Sequence, residues 1–125
     1  MCQAHDIPEY SDRKIKQYKK IVPDSDGTNL RSALDDGPVA IAFSASNAEF
    51  RGYVDGIYPS DPNCFGHDGK TELSHVVLAI GYGKYQGRDY ILFKNSYGED
   101  WGMKGYGWVD PTKCGVTQWA YQIVE

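Results

Sequence analysis

The sequence lacks the features that mark membrane proteins and nucleic-acid-binding proteins. No window of its 125 residues approaches the ~18 apolar residues that a membrane-spanning helix needs. Its 13 Lys and Arg residues are outnumbered by 17 Asp and Glu residues, so the net charge is -4 and no basic surface is expected. Residues 1–6 have neither the basic nor the apolar region of a secretory signal peptide. We therefore expect neither a membrane nor a nucleic acid as a partner.

A metal-binding motif is also missing. Segment 59–73 is rich in turn-forming residues and contains Cys64, His67 and Asp68. These three residues do not have the paired spacing of a zinc site. We expect a long loop here, and neither a metal ion nor another cofactor.

The composition favours one small globular domain. A chain of 125 residues is long enough for a single domain, and a hydrophobic content of 41% can support a modest core. We find no internal repeat and no low-complexity segment. We therefore expect residues 1–125 to form one domain.

The most informative stretch runs from Ser74 to Trp108. Apolar residues 76–80 and 90–93 flank a short loop, 83–88, which predicts two antiparallel strands joined in a hairpin. With the loop centred on residues 85–86, His75 comes opposite Asn95 and Ser96. Facing side chains have Cβ atoms about 5 Å apart, so an imidazole–amide hydrogen bond is expected. A histidine held by a fixed polar partner can activate a nucleophile, although a purely structural histidine is the commoner arrangement.

Short elements account for the rest of the chain. Leu30, Ala33 and Leu34 have helical spacing, and Thr28 or Asp26 can cap that helix. Apolar or alternating residues predict strands over 14–22, 39–43 and 119–124, and 46–53 is expected to be a turn with some helix. The fold class is therefore α+β, with an antiparallel sheet.

Several motifs resemble those of the papain-like, cathepsin L-like cysteine proteases. Residues 74–78 with 80–83 are similar to the histidine region of that family, and residues 94–98 with 101–102 and 105–106 to its asparagine region. Segments 37–42, 53–58 and 114–116 extend the similarity to nearly the whole chain. The resemblance implies the C-terminal, right-hand half of the papain-like fold, a twisted antiparallel sheet partly closed as a barrel, with short helices.

The resemblance also implies an activity, peptide-bond hydrolysis by a cysteine-type endopeptidase with a Cys–His–Asn constellation. It implies that His75 is the catalytic imidazole and that Asn95 orients it. In the family, an indole two residues after the asparagine shields this hydrogen bond from water. Tyr97 stands in that place here, and a smaller ring that carries a hydroxyl is expected to shield less well.

Substrate-binding residues follow from the same resemblance, and they are Ala42, Ser74, Val76, Trp101 and Trp119. Trp101 corresponds to a residue on the leaving-group side of the cleft, although core packing is an equal alternative for it. Trp119 falls at the floor of the main specificity pocket, where the family usually has a small residue. Such an indole fills most of the pocket, so either only small side chains are accepted or peptide binding has been lost.

The three cysteines are expected to include one disulfide. The resemblance implies that Cys64 bonds Cys114, with two free buried thiols as the alternative. In the family, a cysteine at the place of Cys2 bonds one in the other half, so a missing partner is expected. A disulfide implies an oxidising compartment, which for this family means the lysosome, the vacuole or the outside of the cell.

The nucleophile of such an enzyme is not found in this sequence. The family has a C-G-S-C-W-like run in its N-terminal half, which is absent here, and Cys64 lies in a loop instead of at a helix start. We therefore expect the partner to be the missing half or a second chain, and the substrate to be a peptide or protein. The alternatives are an inactive papain-like homologue that binds or supports other molecules, and an independently folded binding domain.

Overall fold

Strands dominate the fold, and the alternation of apolar side chains explains most of them. The computed structural model of the chain describes residues 17–45, 48–59 and 73–124. Within these ranges the elements are β1 (Gln17–Lys20), α1 (Thr28–Leu34), β2 (Val39–Phe43), α2 (Ala48–Arg51), β3 (Ile57–Tyr58), β4 (His75–Tyr85), β5 (Arg88–Lys94), β6 (Tyr106–Val109) and β7 (Ala120–Val124). None of the helices in these ranges is long and apolar enough to cross a membrane. Most of the loop predicted over 59–73, with its metal candidates, lies outside the described residues.

The strands form one sheet in the order β1-β7-β2-β4-β5-β6-β3. Neighbouring strands are antiparallel in every pair except β3–β6, which is parallel. The predicted α+β class, with an antiparallel sheet and short helices, is confirmed, and the parallel pair is limited to this one edge. The parallel pair follows from the long connection between Tyr58 and Tyr106, since parallel strands cannot be joined by a tight turn.

The β4–β5 hairpin is longer than the sequence predicts. Tyr85 pairs with Arg88, so Gln86 and Gly87 alone form the turn instead of the six residues expected. Both have positive φ angles, 51° and 81°, as a type I′ turn requires. Further from the turn, a bulge between Ala79 and Gly81 shifts the register of the two strands by one residue. The turn is therefore centred one residue later than predicted, and the bulge reverses half of the resulting two-residue change in register. The end of β5 still lies near the start of β4, where Lys94 pairs with Leu78.

One face of the sheet carries the hydrophobic core. On β2, Val39, Ile41 and Phe43 are fully buried, and the packed face continues through Val77 on β4 and Phe93 on β5. Helix α1 covers part of this face with the three residues predicted from its spacing, which are all buried. Burial of each large apolar side chain contributes about 1.5–3 kcal/mol, so this face accounts for most of the fold's stability.

The start of α1 differs from the predicted cap. Gly27 occupies the cap position with φ 82°, and it makes no side-chain capping bond. The carboxylate of Asp24 instead accepts the backbone N–H groups of Gly27 and Asn29, both at 2.8 Å. The prediction that Thr28 or Asp26 occupies the cap position is therefore wrong, although the carboxylate of Asp26 does accept the N–H of Thr28 at 3.0 Å.

The opposite side of the sheet, here called the outer face, is apolar but exposed. On β4 the residues Val76, Leu78 and Ile80 are 55%, 42% and 38% exposed. Their neighbours on β2 and β7 include Ala40, Ala42, Tyr121 and Ile123. An apolar strip of this length is unusual on a free surface.

Candidate active site

The ends of two neighbouring strands bring His75 and Asn95 together. His75 is the first residue of β4, and Asn95 directly follows β5. Nε2 of His75 lies 2.7 Å from Oδ1 of Asn95, so the predicted contact is confirmed. The backbone N–H of Ser96 also donates to Oδ1, at 2.8 Å, which requires this atom to be the oxygen. Nε2 of His75 therefore carries a proton and donates it to Asn95.

This arrangement decides what the imidazole can do. Because the proton sits on Nε2, a neutral His75 keeps a free lone pair on Nδ1, which can accept a proton from a neighbouring acid. Asn95 is only 6% exposed, and its backbone N–H donates to the carbonyl of Gly105 at 2.9 Å. In the part of the chain that the structure describes, its Nδ2 has no hydrogen-bond partner, so the side chain is held through Oδ1.

Tyr97 packs beside the imidazole of His75. Its ring centroid lies 5.0 Å from that of the imidazole, with an angle of 36° between the planes. The residue is 47% exposed, which fits a ring that packs inward with one face and meets solvent with the other. Tyr97, which stands at the place of the family's shielding indole, thus lies next to His75. That Tyr97 shields the hydrogen bond stays a prediction.

Trp101 lies mainly in the core. It is 7% exposed, and its indole packs against Phe50 at 4.9 Å and Tyr53 at 5.0 Å. Its Nε1 donates to the backbone carbonyl of Phe50 at 2.9 Å. These contacts agree with core packing, the alternative given for Trp101 above. A contact between Trp101 and substrate stays a prediction.

Ser74 ties the start of β4 to the end of β2. Its Oγ accepts the backbone N–H of Ala45 at 2.9 Å, and its own N–H donates to the carbonyl of Phe43 at 3.2 Å. These bonds fix the backbone immediately before His75. The side chain remains partly accessible, so the predicted contact with substrate is compatible with this position.

The residues predicted for the main specificity pocket meet at one end of the outer face. Ala42 pairs with Val76, and the N–H of Ala42 donates to the carbonyl of Trp119 at 3.1 Å. Trp119 is 36% exposed, and its indole packs edge-on against Tyr121 at 4.8 Å. It also lines a groove of about 490 Å³ with other outer-face residues, Tyr18, Ala40, Tyr121 and Ile123. The three predicted residues are therefore neighbours, and Val76 directly follows the histidine.

Cys114 is not available as a nucleophile. It is fully buried and disulfide-bonded. Its predicted partner Cys64 and the third cysteine, Cys2, lie outside the described residues, so the pairing stays a prediction. Over 17–45, 48–59 and 73–124 there is also no cluster of three residues able to hold a metal ion.

Phe50 is a site residue that the sequence reasoning missed. Its ring centroid lies 5.5 Å from the imidazole of His75, although it belongs to the separate helix α2. The sequence does predict a short helix in this region, which corresponds to α2. No local pattern, however, indicates that the ring of Phe50 on this helix approaches the start of β4. Such a contact depends on tertiary packing across 25 residues of sequence.

Comparison with known proteins identifies the family. A model described as the papain family of cysteine proteases matches residues 1–124. Cathepsin K from Mus musculus is 34% identical over 110 residues, which are 86% of this chain and 32% of that protein. Chymopapain from Carica papaya is 38% identical over 105 residues, or 84% of this chain and 27% of that protein. The chain belongs to the papain family of cysteine proteases.

Solved structures support the same assignment. The digestive procathepsin L2 proteinase from Tenebrio molitor larval midgut superposes with a TM-score of 0.79 and 32% identity. The match covers 94% of this chain and 36% of that chain. The chain thus spans about a third of the length of the relatives that it matches, and it has the β-rich portion of their fold.

Proposed function

We propose that this chain supplies the acid–base histidine and its orienting asparagine to a cysteine peptidase whose thiolate comes from a segment outside the chain. The observation that carries this proposal is the 2.7 Å bond from Nε2 of His75 to Oδ1 of Asn95. It leaves Nδ1 as the nitrogen that can exchange a proton with a thiol. The bond from Ser96 to the same oxygen supports it, because that bond keeps the amide from turning over.

The proposed reaction uses His75 twice. A thiolate paired with protonated His75 attacks the peptide carbonyl carbon, which forms a C–S bond and a tetrahedral oxyanion. The C–N bond then breaks as His75 gives its proton to the leaving amine, and a thioester remains. Water attacks the thioester while His75 takes its proton, the C–S bond breaks, and the acid product leaves. Asn95 is neutral, so it orients the ring without adding charge.

The outer face is the proposed contact surface for the missing half or partner chain. Its exposed strip on β4 begins at Val76, directly after the histidine, and continues through Leu78 and Ile80. A partner on this face would bury the strip and bring its own residues next to His75. The same contact would explain why this apolar surface is left open by the chain's own elements. By itself, the chain is expected not to hydrolyse peptides.

The proposed substrate is a peptide or protein whose anchoring side chain is small. Ala42, Val76 and Trp119 meet at the end of the outer face, and an indole at the floor leaves little room for a large side chain. The disulfide at Cys114 supports an oxidising location, which we propose to be the lysosome or vacuole or the outside of the cell.

The test measures the intact mass of the natural protein before and after reduction, together with labelling by an epoxide or vinyl-sulfone thiol reagent. We expect reduction to release a second chain, or a longer chain to be found, that carries the label. The Asn95→Ala variant should label and turn over about 100-fold more slowly, because a misplaced imidazole activates the thiol poorly. The Asn29→Ala variant, which removes an exposed amide on α1, should leave both rates unchanged.

Three outcomes would contradict the proposal or a part of it. A partner that appears but never takes the label would favour an inactive homologue used for binding or structure. No partner, no longer chain and no label would exclude an enzymatic role for this polypeptide. Equal rates in the Asn29 and Asn95 variants would remove the orienting role from Asn95.

A further inference from the structure

Phe50 has a buried aromatic ring that contacts both His75 and Tyr97. Its ring is 0% exposed, and its centroid lies 5.5 Å from that of His75 and 5.9 Å from that of Tyr97. With the 5.0 Å between His75 and Tyr97, these distances form a nearly equilateral triangle. The two aromatic rings therefore stand side by side along one side of the imidazole instead of opposing each other across it.

The position of Phe50 is itself firmly determined. Its backbone carbonyl accepts both Nε1 of Trp101, at 2.9 Å, and the backbone N–H of Tyr53, at 3.2 Å. Its ring meets that of Tyr58 at 5.1 Å and that of Phe43 at 5.5 Å. A ring held by its main chain and by several neighbours cannot yield without disturbing the core.

A hydrogen bond alone does not fix the orientation of the imidazole. The bond to Asn95 holds the position of Nε2, but the ring can still pivot about that contact. The aromatic rings limit the pivot on their side, because edge-to-face contacts at 4.5–7 Å are attractive and shorter ones are repulsive. Tyr97 is 47% exposed, so the more rigid part of this barrier is Phe50.

We propose that Phe50 is a positioning residue that fixes the imidazole of His75 from the core side. It acts through the ring of His75 and touches no reacting atom. Asn95 fixes one nitrogen, while Phe50 and the more exposed Tyr97 limit the pivot of the ring toward their side, so that Nδ1 is held away from them. The consequence for catalysis rests on the proposed function, whereas the effect on the ring itself does not.

The test follows the Nε2–H proton of His75 by NMR in the natural protein with ¹⁵N-labelled histidine. The His75→Gln variant, which lacks the signal, assigns it to His75. In the Phe50→Leu variant we expect this proton to exchange with solvent about three- to tenfold faster, the factor that one aromatic contact is worth. The Phe93→Leu variant is the matched control, since Phe93 is equally buried and its nearest rings, among the described residues, do not include His75.

The outcomes separate positioning from general loosening of the core. Unchanged exchange in the Phe50 variant, or equal acceleration in the Phe93 variant, would overturn the proposal. A Phe50→Met variant is measured in parallel, because methionine fills the same space flexibly and guards against misfolding of the leucine variant. The readout needs neither thiolate nor turnover, so it can succeed or fail independently of the proposed peptidase activity. If that activity is present, kcat should fall and KM should stay the same.

Discussion

At the residue scale, Trp119 is the residue that we propose limits the space for a substrate side chain beside Ala42 and Val76. In the assembled enzyme, we expect Trp119→Ala to raise the kcat/KM ratio for peptides with Leu over Ala at the anchoring position. The expected rise is about 10- to 200-fold, the range over which added methylene groups are discriminated in a hydrophobic pocket. The measurement compares two peptides that differ only at that side chain.

The matched control removes the indole of Trp108, on strand β6. That indole stacks on Tyr90 with 4.1 Å between centroids, away from the residues predicted for the pocket. Trp108→Ala should change both rates by the same factor and leave the ratio unaltered. An unchanged ratio in the Trp119 variant would mean that this side chain does not line the pocket.

The pairing of His75 with Asn95 could be predicted because both residues lie at the ends of one local hairpin. Register follows from the turn, so counting from the loop placed them within a residue of each other. The contacts of Phe50 and Ser96 with this pair could not be predicted in this way. Phe50 reaches the site from another element, and Ser96 acts through its backbone N–H, which leaves no trace in the side-chain pattern.

At the element scale, Asp110 links the end of β6 to the start of β5. Burial alone would raise the pKa of this carboxyl, but hydrogen bonds from the Thr112 side chain and backbone and from Arg88 outweigh it, so the pKa lies below its usual value. A carboxyl with a lowered pKa stabilises the fold above its unfolded pKa of about 3.9, and this contribution is lost as the pH falls through the folded value. The stabilisation from Asp110 should therefore be complete at pH 7 and decline below about pH 4.

We expect Asp110→Asn to reduce the free energy of unfolding by about 1–3 kcal/mol at pH 7, because Arg88 loses its charged acceptor. Urea unfolding at several pH values measures this difference, which should shrink below about pH 4. Asp36→Asn is the control, since it removes the same charge at an exposed position after α1. A difference independent of pH would show that the charge of Asp110 is not what stabilises the strand ends.

Elements with strong local patterns could be predicted well, whereas elements defined by distant partners could not. The buried strand β2 and the helix face of α1 follow from apolar spacing alone. Strand β3 has two residues and exists only because Ile57 and Tyr58 pair with Trp108 and Val109. Its direction beside β6 depends on a connection of nearly fifty residues, about which local sequence carries no information.

At the scale of the whole molecule, the outer face sets the behaviour of the isolated chain. We expect these 125 residues alone to self-associate and to bind an apolar dye, because a continuous apolar strip remains in water. Replacing Leu78 and Ile123 by Gln should reduce both effects, as seen by light scattering and dye fluorescence. Val54→Gln, at an exposed position in the loop before β3, should not. A monodisperse natural-sequence chain that binds no dye would contradict this expectation.

The three tryptophans of the chain occupy three different environments. Trp101 is 7% exposed and Trp119 is 36% exposed, while Trp108 is stacked on Tyr90. A neutral quencher such as acrylamide therefore reaches the indole of Trp119 far more readily than that of Trp101. Any molecule that binds at this end of the outer face would shield Trp119 from the quencher, so less of the tryptophan fluorescence would be quenched. Because Trp119 is intrinsic to the chain, its fluorescence can follow the association of the chain with a partner over time without an added label.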